Sequence, residues 1–291
     1  MRGEATFRSP LIIGRRGGMT GEYQLDIIVP AHNRLGLLEK CLDILYVNTV
    51  SPFHLIVIDD STDLTPLWMA DFQRIHSNVT YIHSDVPYKS GNQIFNIGLE
   101  QARTDYVATV MNSMSVEPTW EIRALELMKE NPRVGVVGLK CLFPNGLIES
   151  AGIRMFKYLP CDIGRDLPSH RLTSIYEVEA VQWAFALLRK QAVAGNLDED
   201  IFNGFKGVDD IDNCFVVKSK GWELYFCGYG VGYHQPKATR GDASINGKRL
   251  NAENMEIFYK RWGLWELFQK EYRGLTVEDL IHYMPSQEEA S

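Results

Sequence analysis

The feature that most limits what this chain can fold into is an alternation. Through its first half, short apolar runs trade places with longer segments whose apolar residues recur at helical spacing. Leu25–Val29 is such a run, stopped by Pro30, and Leu37, Leu38, Cys41, Leu42 and Leu45 then repeat on one helical face. Phe53–Ile58 is the next run, followed by a helical segment over Leu64–Ile75 and a strand over Val79–His83. Ser90 is placed to cap a helix over Asn92–Arg103; Tyr106–Met111 reads as a strand. Pro118–Glu130 reads as a helix with Pro118 in its first turn, where the missing N–H costs nothing, and Val134–Leu139 as a further strand. Strands alternating with helices of this length predict an α/β fold, a Rossmann-like, mostly parallel central sheet flanked by helices. Such sheets bind ligands beyond the carboxyl ends of their strands. Polar clusters stand at those ends: Ala31-His32-Asn33-Arg34, Asp59-Asp60 and Asn112-Ser113.

The second half is less regular. Ala184–Leu188 reads as a strand, a helix is expected from near Asp209 to Gly221, and Glu223–Cys227 and Val231–Tyr233 as two short strands. Residues 236–250, rich in Gly, Lys, Arg and Asn, read as a mobile loop, and Asn251–Glu271 as a helix carrying Trp262 and Trp265. The expected organisation is a flexible N-terminal segment (1–22), a main domain (23–235), and a loop with a C-terminal helical extension (236–291).

Composition removes whole classes. With 30 basic and 37 acidic residues the net charge is −7. Nucleic acid is therefore not an expected partner, since non-specific binding runs on phosphate neutralisation by Lys and Arg. The five cysteines are scattered without a CxxC pair, as expected for reduced thiols. No stretch approaches the ~20 apolar residues of a membrane span. A cytoplasmic location is expected. Arg2, Arg8, Arg15 and Arg16 allow either a frayed terminus or a peripheral contact with anionic lipid at the inner membrane surface.

The first strand is followed by Pro30-Ala31-His32-Asn33-Arg34, not by a glycine fingerprint, which argues against a dehydrogenase or a P-loop NTPase. Asp60 is placed to accept from a nucleobase N–H, or with Asp59 simply to hold the turn. Asp198-Glu199 and Asp209-Asp210-Ile211-Asp212 form an acidic cluster. Acids there would favour a helix N-terminus, and one could serve as a general base. His234, after a short apolar strand, is a structural residue or a ligand.

Several segments in order carry a resemblance. Asp26-Ile27-Ile28-Val29-Pro30-Ala31-His32-Asn33-Arg34, Ile58-Asp59-Asp60-Ser61-Thr62-Asp63 and Gly91 with Asn96-Ile97-Gly98 resemble the opening motifs of family 2 inverting glycosyltransferases. Leu197-Asp198-Glu199-Asp200-Ile201-Phe202, then Asp209-Asp210-Ile211-Asp212-Asn213-Cys214, Gly221-Trp222 and Val231-Gly232-Tyr233-His234 resemble their later ones. Phe258-Tyr259-Lys260-Arg261-Trp262 resembles the closing helix of the rhamnosyltransferase and galactofuranosyltransferase branch. The likeness covers roughly residues 24–262.

The resemblance implies a GT-A fold and a donor that is a UDP- or dTDP-sugar. Asp60 would read the base, with Pro30 and Ala31 holding it by backbone contacts, and Asn33, Arg34 and Gly91 near the nucleotide. Asn112 and Ser113 would stand at the diphosphate. Asp210 would be the catalytic base with Asp209 as understudy, Trp183 would line the donor or acceptor pocket, and His234 would help hold a metal. The family's metal-binding DxD segment is degenerate here: the chain reads Met111-Asn112-Ser113-Met114, and Ser113 takes the place of the usual Asp. Use of Mn2+ or Mg2+ is therefore an open question. Lys89, Lys237, Arg240, Lys248 and Arg249 are candidate cations to replace the metal. Residues 236–250 would act as a lid over the donor or as an ordinary loop. The expected acceptor is a glycan, a lipid-linked sugar or a protein. Trp262, Trp265 and Phe268 offer either a homo-oligomer contact or packing against the domain. The alternative function is a sugar-nucleotide or glycan-binding module of the same fold without catalysis.

Overall fold

The computed structural model describes residues 22–202, 208–235 and 245–280. The N-terminal segment 1–21, most of the expected loop after His234 and the chain after 280 lie outside the described residues. The first half runs β1 (Leu25–Ala31), α1 (Leu35–Asn48), β2 (Phe53–Asp59), α2 (Thr65–Ile75), β3 (Val79–His83), α3 (Gly91–Gln101) and β4 (Tyr106–Val110). It continues through β5 (Met114–Val116), α4 (Ile122–Glu130) and β6 (Val134–Leu142). Then come β7 (Ile148–Ser150), β8 (Ile153–Phe156), β9 (Leu159–Asp162), β10 (Ile175–Glu177), β11 (Phe185–Arg189), α5 (Lys190–Val193), α6 (Asp209–Ser219) and β12 (Glu223–His234). Three helices, α7 (Ile245–Arg261), α8 (Trp265–Glu271) and α9 (Val277–Leu280), follow.

The main sheet has the order β10-β12-β6-β11-β4-β1-β2-β3. β4, β1, β2 and β3 are parallel to one another, and β12 runs parallel to β6. β11 runs against both of its neighbours within this mostly parallel core, and β10, β5 and β7 are further reversed strands, paired antiparallel to β12 and β6. Strands covered on both faces must be apolar at every position, which is why β1 and β2 read as unbroken runs. Alternate residues of the same strand feed two cores. Ile27, Val29, Leu55 and Val57 pack with Leu38, Leu42, Met69, Leu125 and Met128 of α1, α2 and α4. Ile28, Ile56 and Ile58 pack with Ile94, Phe95, Cys214 and Phe258 of α3, α6 and α7. All five cysteines are free and buried. Among the described residues no helix is long and apolar enough to cross a membrane.

Four expectations change. The helix expected from Pro118 starts at Ile122, because Thr119 is left-handed (φ 64°) and the turn is tied to α1. There the Thr119 N–H donates to Asn48 O (3.0 Å) and buried Trp120 donates from Nε1 to Thr49 Oγ1 (3.0 Å). The two strands expected around 223–233 are one, β12, with a register shift between Cys227 and Val231. The loop expected through 250 ends earlier, since α7 begins at Ile245. The single helix expected over 251–271 is interrupted at Gly263 (φ 67°), a left-handed turn that separates α7 from α8.

Candidate active site

Parallel pairing sets Ala31 opposite Asp59, so the two loops after β1 and β2 emerge side by side. They interlock through their own side chains. Asn33 and Arg34 are both left-handed (φ 54° and 63°), a conformation Asn tolerates better than most residues. The Asn33 N–H donates to Ser61 Oγ (2.6 Å), and Asn33 Oδ1 accepts from the Thr62 N–H (2.9 Å). Asp59 is the turn-holding acid of the pair: buried, it accepts from the Ser61 N–H and hydroxyl, from Tyr81 OH (2.6 Å) and from His83 Nδ1 (3.0 Å). Asp60 is also buried, but points the other way, to His32 Nδ1 (2.8 Å) and the Tyr88 N–H (2.9 Å). Pro30 and Ala31 end β1 beside it.

The second group of acids is positioned by asparagines. Ser90 caps α3, accepting from the Gln93 N–H (3.3 Å), and its hydroxyl donates to Glu199 O (3.0 Å). Asn92 donates to Asp198 O (2.9 Å), and Asn96 to Leu197 O (3.0 Å) and Glu199 Oε1 (2.8 Å). Asn92 and Asn213 donate to each other's side-chain oxygen (3.2 and 2.7 Å), which joins α3 to α6. The result sets Asp209 against the start of α3: a Cβ on Gly91 would lie 3.0 Å from Asp209 Oδ2. Asp210 Oδ2 accepts from the Trp183 N–H (3.0 Å). Burial, then the Asp209 charge, push the Asp210 carboxyl above the ordinary carboxylate range, with the Trp183 N–H opposing. Burial raises Asp209 as well, against its own helix-end amides. Asp212, raised by burial, is held by Trp262 Nε1 (2.7 Å) and Arg261 Nε (3.4 Å), so the C-terminal Trp of α7's end is a clamp on α6.

The Trp183 side chain is fully buried, 5.6 Å from the Phe95 ring, and its bond to the acids is made by the backbone N–H. Lys89 is engaged with Asp200 (2.6 Å) and Glu199 (3.5 Å). Lys237 and Arg240, and the side chains of Lys248 and Arg249, lie outside the described residues.

The turn from β4 to β5 carries Asn112 and Ser113. β5 pairs with the end of β12, Met114 opposite His234, and the Gln235 N–H donates to Ser113 O (3.1 Å). A cleft of about 110 Å³ lies there, lined among others by Lys40, Asn112, Ser113, Ser115, His234 and Gln235. His234 is held from behind: its Nδ1 lies 2.8 Å from Glu149 Oε2. Glu149 was not legible in sequence, because it sits in a short strand, β7, with no motif around it. Glu149, Asp162 and Asp210 gather about Cys141, whose thiol burial and those three charges push far up. Among the described residues no three His, Cys, Asp or Glu side chains form a metal-binding group. Mn2+ and Mg2+ favour carboxylate, carbonyl and water oxygens. The cleft's lining holds no carboxylate, so it offers such a cation only neutral donors and no negative charge to balance it, a poor fit for a hard divalent ion.

Sequence and fold comparisons fall on the same ground. Residues 26–144 match the model of Glycosyl transferase family 2. An uncharacterized protein, y4gI, of Sinorhizobium fredii is 25% identical over 259 residues, 84% of this chain and 28% of the relative. The O-antigen biosynthesis protein RfbC of Myxococcus xanthus is 28% identical over 152 residues, 52% of this chain and 12% of the relative. The chain thus spans under a third of the length of either curated relative. A structure of GalNAc-T7 with UDP, GalNAc and Mn2+ superposes with a TM-score of 0.61 at 14% identity, over 86% of this chain and 55% of the other. A mannosyltransferase of Pyrobaculum calidifontis, in complex with GDP-Man and Mn2+, gives 0.59 at 15%, over 90% and 71%. Residues 26–144 are similar to Glycosyl transferase family 2, and the fold is that of GT-A glycosyltransferase structures.

Proposed function

We propose that this chain is an inverting glycosyltransferase that moves a sugar from a nucleotide-diphosphate donor, a UDP- or dTDP-sugar, to an acceptor hydroxyl. The observation that carries the reading is the Asp209–Asp210 pair at the start of α6, fixed by the Trp183 N–H and backed against Gly91 at the start of α3. It stands in a sheet whose strand ends also bear Asp60 and the interlocked loops after β1 and β2. In this reading Asp210 takes the proton of the acceptor hydroxyl. The new bond from that oxygen to the anomeric carbon forms as the bond to the diphosphate breaks, on the opposite face. A base whose pKa lies nearer neutrality than an ordinary carboxylate is better matched to that proton transfer. Pro30, Ala31, Asn33 and Arg34 would hold the nucleotide with Asp60. The base would be met by an Asp60 already fixed by His32 and Tyr88, and so pre-oriented.

The O-antigen biosynthesis relative favours a glycan or lipid-linked acceptor. A second reading, a donor- or glycan-binding module without transfer, draws on the absence of a carboxylate at Asn112-Ser113. One variant separates the two. Asp210→Asn is expected to keep nucleotide affinity, measured by calorimetry, and to lose about 10²–10⁴-fold in turnover, the usual reach of general-base help. Near-normal turnover in Asp210→Asn would remove Asp210 from the role. Nucleotide binding without product from the unaltered chain, across UDP- and dTDP-sugars, would leave the binding-module reading.

A further inference from the structure

The cleft between α1, the β4–β5 turn and the end of β12 has an uncommon lining for a site at this place in the sheet. It holds no carboxylate. Its one full charge is the Lys40 ammonium, exposed, presented by α1, and without an ion-pair partner among the described residues. Asn112, 4% exposed, lines the same cleft, and its amide Nδ2 is buried with no hydrogen-bond partner. A buried amide left unmatched is costly, about 1–3 kcal/mol by general experience, and in native proteins such groups commonly await a ligand, ion or water. The Ser113 and Ser115 hydroxyls can donate as well. His234 completes the wall, and the acid behind it, Glu149, faces its Nδ1 and not the cleft lining.

We propose that this cleft binds a phosphate-class anion directly, through Lys40, Asn112 and the serine hydroxyls, with no divalent cation between protein and phosphate. The inference rests on the donor reading above for the source of the anion, the diphosphate of a nucleotide sugar. A free inorganic phosphate or diphosphate has the same chemistry. Where a metal would neutralise the leaving diphosphate with two charges, the chain offers one ammonium and neutral donors whose dipoles are fixed in advance. Lysine serves phosphate as a point charge, which needs no matched geometry from the second partner. Lys40 comes from α1, so the helix that follows the nucleotide-facing loop would reach the same ligand from its second turn.

The test is calorimetric titration of the full chain with UDP and, separately, with inorganic diphosphate, each in EDTA and in Mn2+. Lys40→Ala and Lys40→Gln serve as variants and Lys129→Ala as a surface control. Lys40 is exposed, so its variants fold, and melting curves confirm it. UDP is expected to bind in EDTA with an affinity that Mn2+ changes by less than about twofold. Losing a hydrogen bond to a charged group should weaken it about tenfold or more in both Lys40 variants, with no effect in the control. UDP binding that appears only with Mn2+ overturns the inference and leaves the transferase reading standing. Binding in EDTA that Lys40→Ala leaves unchanged overturns it too. Inorganic diphosphate bound through Lys40, with UDP no tighter than diphosphate alone, supports the anion cleft and counts against the nucleotide-donor reading. No binding of either anion under any condition overturns both.

Discussion

At the scale of single residues, the site is a study in carboxylates given different work by their neighbours. Asp59 is consumed in holding a turn, Asp60 is buried but aimed at a histidine and an amide, and Asp212 is clamped by Trp262. Asp210 is lifted by burial and by the acid next to it, with one backbone N–H to steady it. A carboxyl whose folded pKa is raised makes folding take up a proton. Stability is then lost as pH climbs from the unfolded pKa toward the folded one, and is fully present only below it. Asp210→Asn is accordingly expected to raise the melting temperature at pH 7–8 and to do so progressively less toward pH 4. A thermal scan across that range would show it; an Asn variant less stable than the unaltered chain at neutral pH would contradict the burial argument. The same lift predicts that turnover falls on the acid side well above pH 4, and Asp210→Asn should abolish that limb. Gly91 gives a sharper probe of position. Its Cβ would meet Asp209 Oδ2, the end of a rotatable side chain, so Gly91→Ala should cost little stability but turn Asp209 away. A several-fold loss of turnover with a melting point within a degree or two is the expected pattern.

At the scale of elements, what could be read from sequence follows what each element buries. β1, β2 and α1 were legible because a strand covered on both faces is apolar throughout and a helix on one face is apolar every third or fourth residue. β5 and β7–β10 were not, being three or four residues long, half exposed in part, and set by their partners in the sheet. β12 reads as two strands in sequence, and Gly228 and Gly230 stand in the gap between them. These glycines are close approaches: a Cβ on Gly230 would stand 2.4 Å from Trp120 O, a backbone atom that cannot swing aside. Gly230→Ala is expected to cost about 1–3 kcal/mol, the usual scale of overpacking, read as a shift in the denaturant midpoint. The acids were legible as types and the asparagines as part of a family pattern. That Asn92, Asn96 and Asn213 build the joint between α3, residues 197–200 and α6 could not be read, since side-chain amides carry no periodicity. Removing the Trp262 indole N–H with Trp262→Phe would leave Asp212 buried with one partner fewer. A loss of about 1–3 kcal/mol of stability is expected, again from denaturant unfolding.

At the scale of the whole molecule, the two edges of the parallel strands are held by opposite kinds of acid. At the amino edge, Asp26 is buried and burial alone would raise it. Hydrogen bonds from His54, the Thr104 hydroxyl and the Arg103 and Thr104 amides outweigh that and hold it below its ordinary value. Its contribution is therefore complete above the unfolded pKa and is lost as pH falls through the lower folded one. Asp26→Asn should destabilise the chain at neutral pH, with a penalty that shrinks in acid, and a urea series at several pH values measures it. Asp210, at the carboxyl edge, predicts the reverse slope. The amide joint that carries Asp209 and Asp210 has a consequence of its own. Apart from the Asn96 bond to the Glu199 carboxylate, its bonds are made by neutral groups, so neither protonation nor ionic strength loosens the Asn92–Asn213 pair or the amide bonds to backbone carbonyls. Added salt would compete with ligands for the charged walls of the site while the frame beneath stays put. Whatever salt does to turnover would then report on the encounter with substrate, and not on the scaffold.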